Sequence, residues 1–206
     1  MSYAGIIGIG SYLPDRIVDN AELEQSLGLE PGWIEEKTGV RRRHLAAPDQ
    51  APSHLAANAA RTALDDAGTD PAALDGILVA TTVPDTFCPS TACRVQAALG
   101  AHNAWAFDVN GASSGFLAAL AAGRAMITSG QADTVCVIGA ETTSRFINWD
   151  DHKTCILFGD GAGAVVLKKD TGGKILATHL GADGSGTDAL VVPGGGAAQP
   201  PAQHVV

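Results

Sequence analysis

One segment of the chain brings a hydroxyl, small residues and an apolar helix together in a way suited to chemistry. Residues 107–116 read FDVNGASSGF and run directly into the alanine-rich stretch LAALAAGRAMITSG. An apolar strand that turns through small residues into a buried helix exposes a side chain at the helix N-terminus. Unpaired backbone N–H groups and the positive end of the helix dipole stabilise negative charge there. A nucleophile or the oxyanion of an acyl-transfer step suits such a place. Ser113 and Ser114 equally suit the ordinary role of an N-cap, and the spacing alone leaves both readings open.

Other candidates carry less. FGDGAGAVVL (158–167) is glycine-rich, but it fits neither G-x-x-x-x-G-K-[ST] nor G-x-G-x-x-G and reads as a tight turn between packed strands. Arg41, Arg42, Arg43 and His44, with Lys37 one helical turn earlier, form the one local basic run able to meet an anionic ligand; a solvated charge run fits them as well. Cys88, Cys93, Cys136 and Cys155 make no CxxC pair, and no histidine stands at a metal-finger spacing from them, so no metal site is expected. Cys136 lies inside the apolar run 134–139 and reads as a small core residue.

Elements must position these groups. Hydrophobic residues make up 46% of the 206 residues and charged residues 17%, enough to bury a core. Lys and Arg total 13 against 22 Asp and Glu, a formal charge of −9, which gives no global field for nucleic acid or an anionic membrane surface. The N-terminal residues lack the pattern of a signal peptide, and no run reaches the roughly 18 apolar residues of a spanning helix. A soluble, cytoplasmic protein with reduced thiols is the expectation. The apolar runs 4–9, 76–81, 105–109, 134–139, 156–167 and 175–180 read as strands. Helices are expected after Asp19 or Asn20 as far as Leu27, around Trp33, Ile34 and Lys37, after a Ser53 cap, over 90–99 and over 116–129. Continuous rather than alternating apolar strands imply helices on both faces, hence an α/β fold with a mixed, mostly parallel sheet. Residues 193–203 (PGGGAAQPPAQ) read as a connection without a packed element of its own.

The order of motifs along the chain resembles one family. The turn at 108–116 is similar to the nucleophile turn of ketoacyl-acyl-carrier-protein synthase III enzymes, approximately D-V-x-x-A-C-x-G-F. Asp108, Val109, Ala112, Gly115 and Phe116 match, and Ser113 stands where that family has cysteine. GIGSYLP (8–14), WIEEKTGVRRRH (33–44), ATT (80–82), PSTAC (89–93), FGDGAGAVVL (158–167) and HLGADG (179–184) follow in family order and spacing. The resemblance implies the layered αβαβα thiolase fold, of which residues 1–190 are the N-terminal half with a five-stranded sheet. Residues 191–206 are then a connection toward a C-terminal half. It implies a substrate delivered as a thioester on coenzyme A or acyl carrier protein, with no other cofactor, and a homodimer of the complete unit. Trp33 falls where the family stacks a tryptophan on adenine, Lys37 at a basic position after it, and His152 where an arginine usually completes the clamp. Leu157, Phe158 and Leu190 match acyl-pocket positions. Cys88 matches the residue that closes the neighbouring subunit's pocket, and its small size implies a starter group larger than acetyl.

Two departures bear on mechanism. A cysteine with pKa near 8.5 ionises at a helix tip, whereas a serine hydroxyl starts several units higher, and a dipole worth roughly 0.3–2 kcal/mol cannot close that gap. Serine therefore needs an adjacent general base. The family carries its catalytic histidine and asparagine in motifs resembling PHQAN and HGNTS, and neither string is present. His44, His152 and His179 match non-catalytic positions, while His54, His102 and His204 lie outside any catalytic motif. Four readings follow: a fragment, one subunit of a split enzyme, an engineered silencing of the nucleophile, or a natural acyl-serine enzyme. A non-catalytic acyl-binding subunit is the alternative in a different class.

Overall fold

The computed structural model describes residues 2–192 and 194–200. Pro193 and residues 201–206, which hold part of the expected connection and His204, lie outside the described residues. In chain order the elements are β1 (Ala4–Tyr12), β2 (Arg16–Asp19), α1 (Asn20–Leu27), α2 (Trp33–Thr38), β3 (Arg42–Leu45), α3 (Pro52–Asp66), β4 (Gly76–Ala80), α4 (Thr91–Leu99), β5 (Trp105–Val109), α5 (Gly115–Thr128), β6 (Thr134–Thr142) and β7 (Asp160–Lys169). Five strands form one sheet in the order β1-β7-β6-β4-β5, and β2 with β3 form a separate antiparallel ribbon.

The sheet is mixed as expected, with its four pairings evenly divided. β4 pairs parallel with both β5 and β6, while β7 pairs antiparallel with β1 and β6. Its residues alternate between two buried faces, which is why the strands read as unbroken apolar runs. Ile77, Val79, Cys136, Ile138 and Val166 face α3 and α4. Leu78, Ala80, Val135, Val137 and Leu167 face α5. A third small core joins Val18, Leu23, Ile34, Cys155 and Ile156 beneath α1 and α2.

Glycine sets two close approaches. A methyl on Gly10 would meet the Ala59 carbonyl and Ala63 amide of α3, so α3 lies directly on the backbone of β1. A methyl on Gly123 would stand 3.1–3.4 Å from Val137, Leu167 and Val135, which lets α5 settle on the opposite face.

Several local expectations are corrected. Residues 175–180 do not form a strand: Lys174 makes one bridge to Gly5, Ile175 N donates to Ala4 O, and the chain then leaves the sheet. The Arg124 guanidinium takes the Ile175 and Leu176 carbonyls instead, at 3.0 and 3.3 Å. Leu176 and Leu180 are exposed, so nothing rewards further pairing. The last sheet strand begins at Asp160 rather than 156, because residues 155–157 make a short 3-10 turn. Ser53 lies inside α3, not at its cap; its amide and hydroxyl bond Asp85 at 2.9 and 2.6 Å. The His54 ring reaches back to the Ala51 amide at 3.0 Å in its place. The ribbon β2–β3 escaped the sequence because its residues, RIVD and RRHL, are rich in charge and the strands are separated by α1, α2 and their connections.

Candidate active site

The Ser113 turn sits at the carboxyl ends of β4 and β5, the end of a parallel sheet at which ligands are bound in open α/β folds. β5 closes on Val109, whose carbonyl accepts from Thr81 N at 3.3 Å. The chain then turns through Asn110, Gly111 and Ala112 into α5. Ala112 has φ 46°, the left-handed region for a residue with a Cβ, at a cost of about 1–3 kcal/mol. This strained residue immediately precedes Ser113.

The N-cap reading of the serines does not hold. Ser114 Oγ donates to Gly111 O at 2.8 Å, and no side chain caps the first turn of α5. Ser113 is exposed and has no hydrogen-bond partner among the described residues. The helix tip thus has no side-chain cap, although the Ser114 and Gly115 amides already donate to the Gly111 and Ala112 carbonyls of the turn. Gly115 holds this turn down: a methyl there would touch Ala80 Cβ at 3.5 Å. Asp108 fixes the other side, its two carboxylate oxygens accepting from the Thr91 and Ala92 amides at 2.8 and 2.7 Å. It therefore binds the tip of α4.

The other candidate residues fall into separate groups. Trp33 and His152 meet edge to face, with ring centroids 6.0 Å apart and planes at 74°. Lys37 shares α2 with Trp33 but points to solvent, where it pairs with Glu36 at 2.9 Å. Leu157 is exposed and Phe158 half-buried in the turn before β7. Cys88 is exposed in the loop between β4 and α4, and Leu190 is exposed in the coil that follows β7.

The basic run does not act as one patch. Arg43 is buried, 4% exposed, and donates to Asn20 Oδ1 at 2.8 Å, while its Nε lacks a partner among the described residues. Arg41 pairs with Glu35, and the His44 ring contacts the Pro14 carbonyl at 2.5 Å. Strand alternation in β3 dispersed what the sequence placed side by side.

Two carboxylates escaped the sequence reading. Asp160 is buried and gathers three donors: Ser144 N at 3.0 Å, Ser144 Oγ at 2.6 Å and Ala46 N at 2.7 Å. It ties the exits of β6 and β3 to the start of β7. Glu141, near the end of β6, accepts from Thr82 N at 2.8 Å, Thr82 Oγ at 2.9 Å and Thr81 Oγ at 3.4 Å. Burial raises its pKa, and the bonds from Thr82 and Thr81 pull the other way. The available signal was a lone charge closing an apolar strand at the carboxyl edge of the sheet.

The chain is similar to known proteins over nearly its whole length. A family model described as 3-oxoacyl-[acyl-carrier-protein (ACP)] synthase III matches residues 107–184. The beta-ketoacyl-[acyl-carrier-protein] synthase III of Caldanaerobacter subterraneus is 48% identical over 204 residues, covering 98% of this chain and 62% of that protein. One from Cereibacter sphaeroides is 52% identical over 198 residues, covering 93% and 61%. The chain thus spans about three fifths of the length of these curated relatives. Among solved structures, 3-oxoacyl-(acyl carrier protein) synthase III from Pseudomonas aeruginosa superposes with a TM-score of 0.84 at 41% identity, covering 90% of this chain and 57% of that one. The priming beta-ketosynthase of the R1128 polyketide pathway gives 0.78 at 36%, covering 81% and 50%. With the strand–turn–helix at position 113 and these matches together, the chain is a ketoacyl-acyl-carrier-protein synthase III-like protein of the thiolase superfamily.

Proposed function

We propose that these residues are the acyl-accepting half of a starter-unit 3-oxoacyl synthase or acyltransferase, which takes its acyl group from a thioester of coenzyme A or acyl carrier protein. The observation that carries this reading is Ser113 on a helix tip without a side-chain cap, behind a strained Ala112. Activity in this reading requires a C-terminal half bearing the family's histidine and asparagine, and a homodimer in the cytoplasm is the expected working unit. Trp33 and His152 supply two rings at which an adenine end can be held, with Lys37 nearby for phosphate. Histidine there gives a less constant charge than arginine near neutral pH. Leu157, Phe158 and Leu190 are assigned to the acyl pocket and Cys88 to the pocket of the neighbouring subunit.

An oxygen ester is a poorer acyl donor than a thioester, so an acyl-Ser113 favours transfer to oxygen or nitrogen over carbon–carbon bond formation. Both fatty-acid and polyketide initiation accommodate such a step. Incubation of the full-length protein with acyl thioesters, followed by intact mass and peptide mapping, should place an acyl adduct on Ser113; a protein that stays unmodified with the complete fold present refutes acyl transfer.

A second reading is a non-catalytic acyl-binding subunit, whether by natural drift or by a cysteine-to-serine replacement. The exposed, unpartnered Ser113 hydroxyl and His152 in the clamp favour it. Ser113→Cys separates the two: gain of acylation and condensation shows an otherwise intact site, and gain of neither shows a decayed one.

A further inference from the structure

Serine at position 113 needs a proton acceptor, and Glu141 is placed to serve one. β6 outruns β4: their pairing stops at Gly139↔Ala80, whereas β6 continues with β7 through Glu141↔Gly161 and Thr142↔Asp160. Alternation places Glu141 on the face of Gly139, which is the face that carries α5, since a methyl on Gly139 would meet Phe116 at 3.4 Å. The Glu141 side chain folds over the end of β4 and takes the Thr82 amide and hydroxyl on Oε1. No cation pairs with it among the described residues.

Thr82 lies two residues beyond Ala80, the residue against which Gly115 seats the Ser113 turn. Thr82 and Ser113 therefore lie in the turns that follow the adjacent parallel strands β4 and β5, at the same end of the sheet, and both are exposed. Thr82 Oγ spends its proton on Glu141, which leaves its lone pairs free to accept another.

We propose that the Thr82–Glu141 pair is the proton acceptor that activates Ser113. The proposal rests on the reading of Ser113 as the acyl-bearing residue. Ser113 Oγ–H passes its proton to Thr82 Oγ as the Thr82 proton moves to Glu141 Oε1. The serine oxygen forms a C–O bond to the thioester carbonyl carbon, and the C–S bond breaks. The departing thiolate takes one proton back along the same path, leaving as a thiol and restoring the Glu141 carboxylate. Burial moves the proton affinity of Glu141 upward, in the direction a base needs.

The experiment compares five proteins, each full-length: the natural sequence, Glu141→Gln, Thr82→Val, Ser113→Cys, and Ser113→Cys with Glu141→Gln. Each is incubated with acetyl- and hexanoyl-coenzyme A, and the rate of adduct formation at position 113 is read by peptide mass. Glu141→Gln should slow acylation of Ser113 by about 10²–10⁴-fold, the usual contribution of general base catalysis. Thr82→Val should act in the same direction. A cysteine at 113 ionises with less help, so Glu141→Gln should change its rate only a few-fold. Equal slowing of serine and cysteine would show a merely structural role for Glu141 and overturn the proposal. Unchanged serine acylation in Glu141→Gln or Thr82→Val overturns it too, as does acylation of Ser113→Cys with none of Ser113 itself. An adduct on neither residue instead overturns the acyl-site reading, and the proposal falls with it.

Discussion

In the proposed role of Ser113, activation of the hydroxyl falls to its neighbours rather than to the helix tip. A helix terminus stabilises a charge that already exists but cannot create one on a hydroxyl. The relevant carboxylate, Glu141, carries its own stability signature. Its folded-state pKa is raised by burial above the unfolded value. The sign follows from linkage: its contribution is fully present below the unfolded pKa and is lost as pH rises through the folded pKa. Stability measured by urea melts should therefore decline as pH rises above the ordinary glutamate range, and Glu141→Gln should flatten that slope. The four thiols separate in the same way. Burial pushes Cys136 up to about 12, and Cys155 is raised as well, whereas Cys88 and Cys93 are exposed. Iodoacetamide at pH 8 should label Cys88 and Cys93 and spare Cys136 and Cys155 until the protein unfolds; early labelling of Cys136 would contradict the packing of β6. That Cys136 is core was legible, since it lies in an unbroken apolar run. The role of Asp108 was not, because a carboxylate that caps a helix 16 residues earlier leaves no local pattern.

Elements are held by contacts that a sequence states unevenly. The strands β4 and β6 were readable because burial on both faces leaves long apolar runs, and β5 and α5 because their own residues are mostly apolar. The ribbon β2–β3 was not, since its partners meet only after α1 and α2 have folded between them. The extra strand expected over residues 175–180 had the right composition but no open partner beyond one bridge to Gly5. Within this frame Asp108 joins β5 to α4 through two charged hydrogen bonds to backbone amides. Asp108→Ala should cost about 1–2 kcal/mol, the range for losing a helix cap, and lower the melting temperature accordingly. Gly10 bears on another junction. Any side chain there must displace the α3 backbone, so Gly10→Ala should destabilise by about 1–3 kcal/mol in a denaturant titration. A neutral result would mean that α3 sits farther from β1 than described.

At the scale of the whole molecule, the described residues cover the two faces of the sheet unequally. α3 and α4 together close one face, whereas α5 alone lies on the other and buries only Gly115, Ala119, Gly123 and Ile127 along one stripe. Leu117 of α5 remains 60% exposed, and Ile9 and Leu13 at the end of β1 are 65% and 56% exposed. Scattered apolar side chains are ordinary on a surface, but a helix whose outward side is leucine and alanine is built to be covered. The relatives matched here extend about two fifths of their length beyond the region that aligns, and the proposed C-terminal half is the natural cover in the thiolase architecture. The 206 residues expressed by themselves should therefore self-associate, seen as a concentration-dependent rise in mass by light scattering. Leu117→Lys gives this argument a sign test. In the 206-residue chain it should reduce association without lowering the melting temperature, because the side chain it replaces is already in water. In a protein that includes the covering half it should destabilise, because the same position would then bury a charge. A chain that stays monomeric at high concentration with Leu117 intact, or a substitution with the same effect in both contexts, would show that α5 needs no cover.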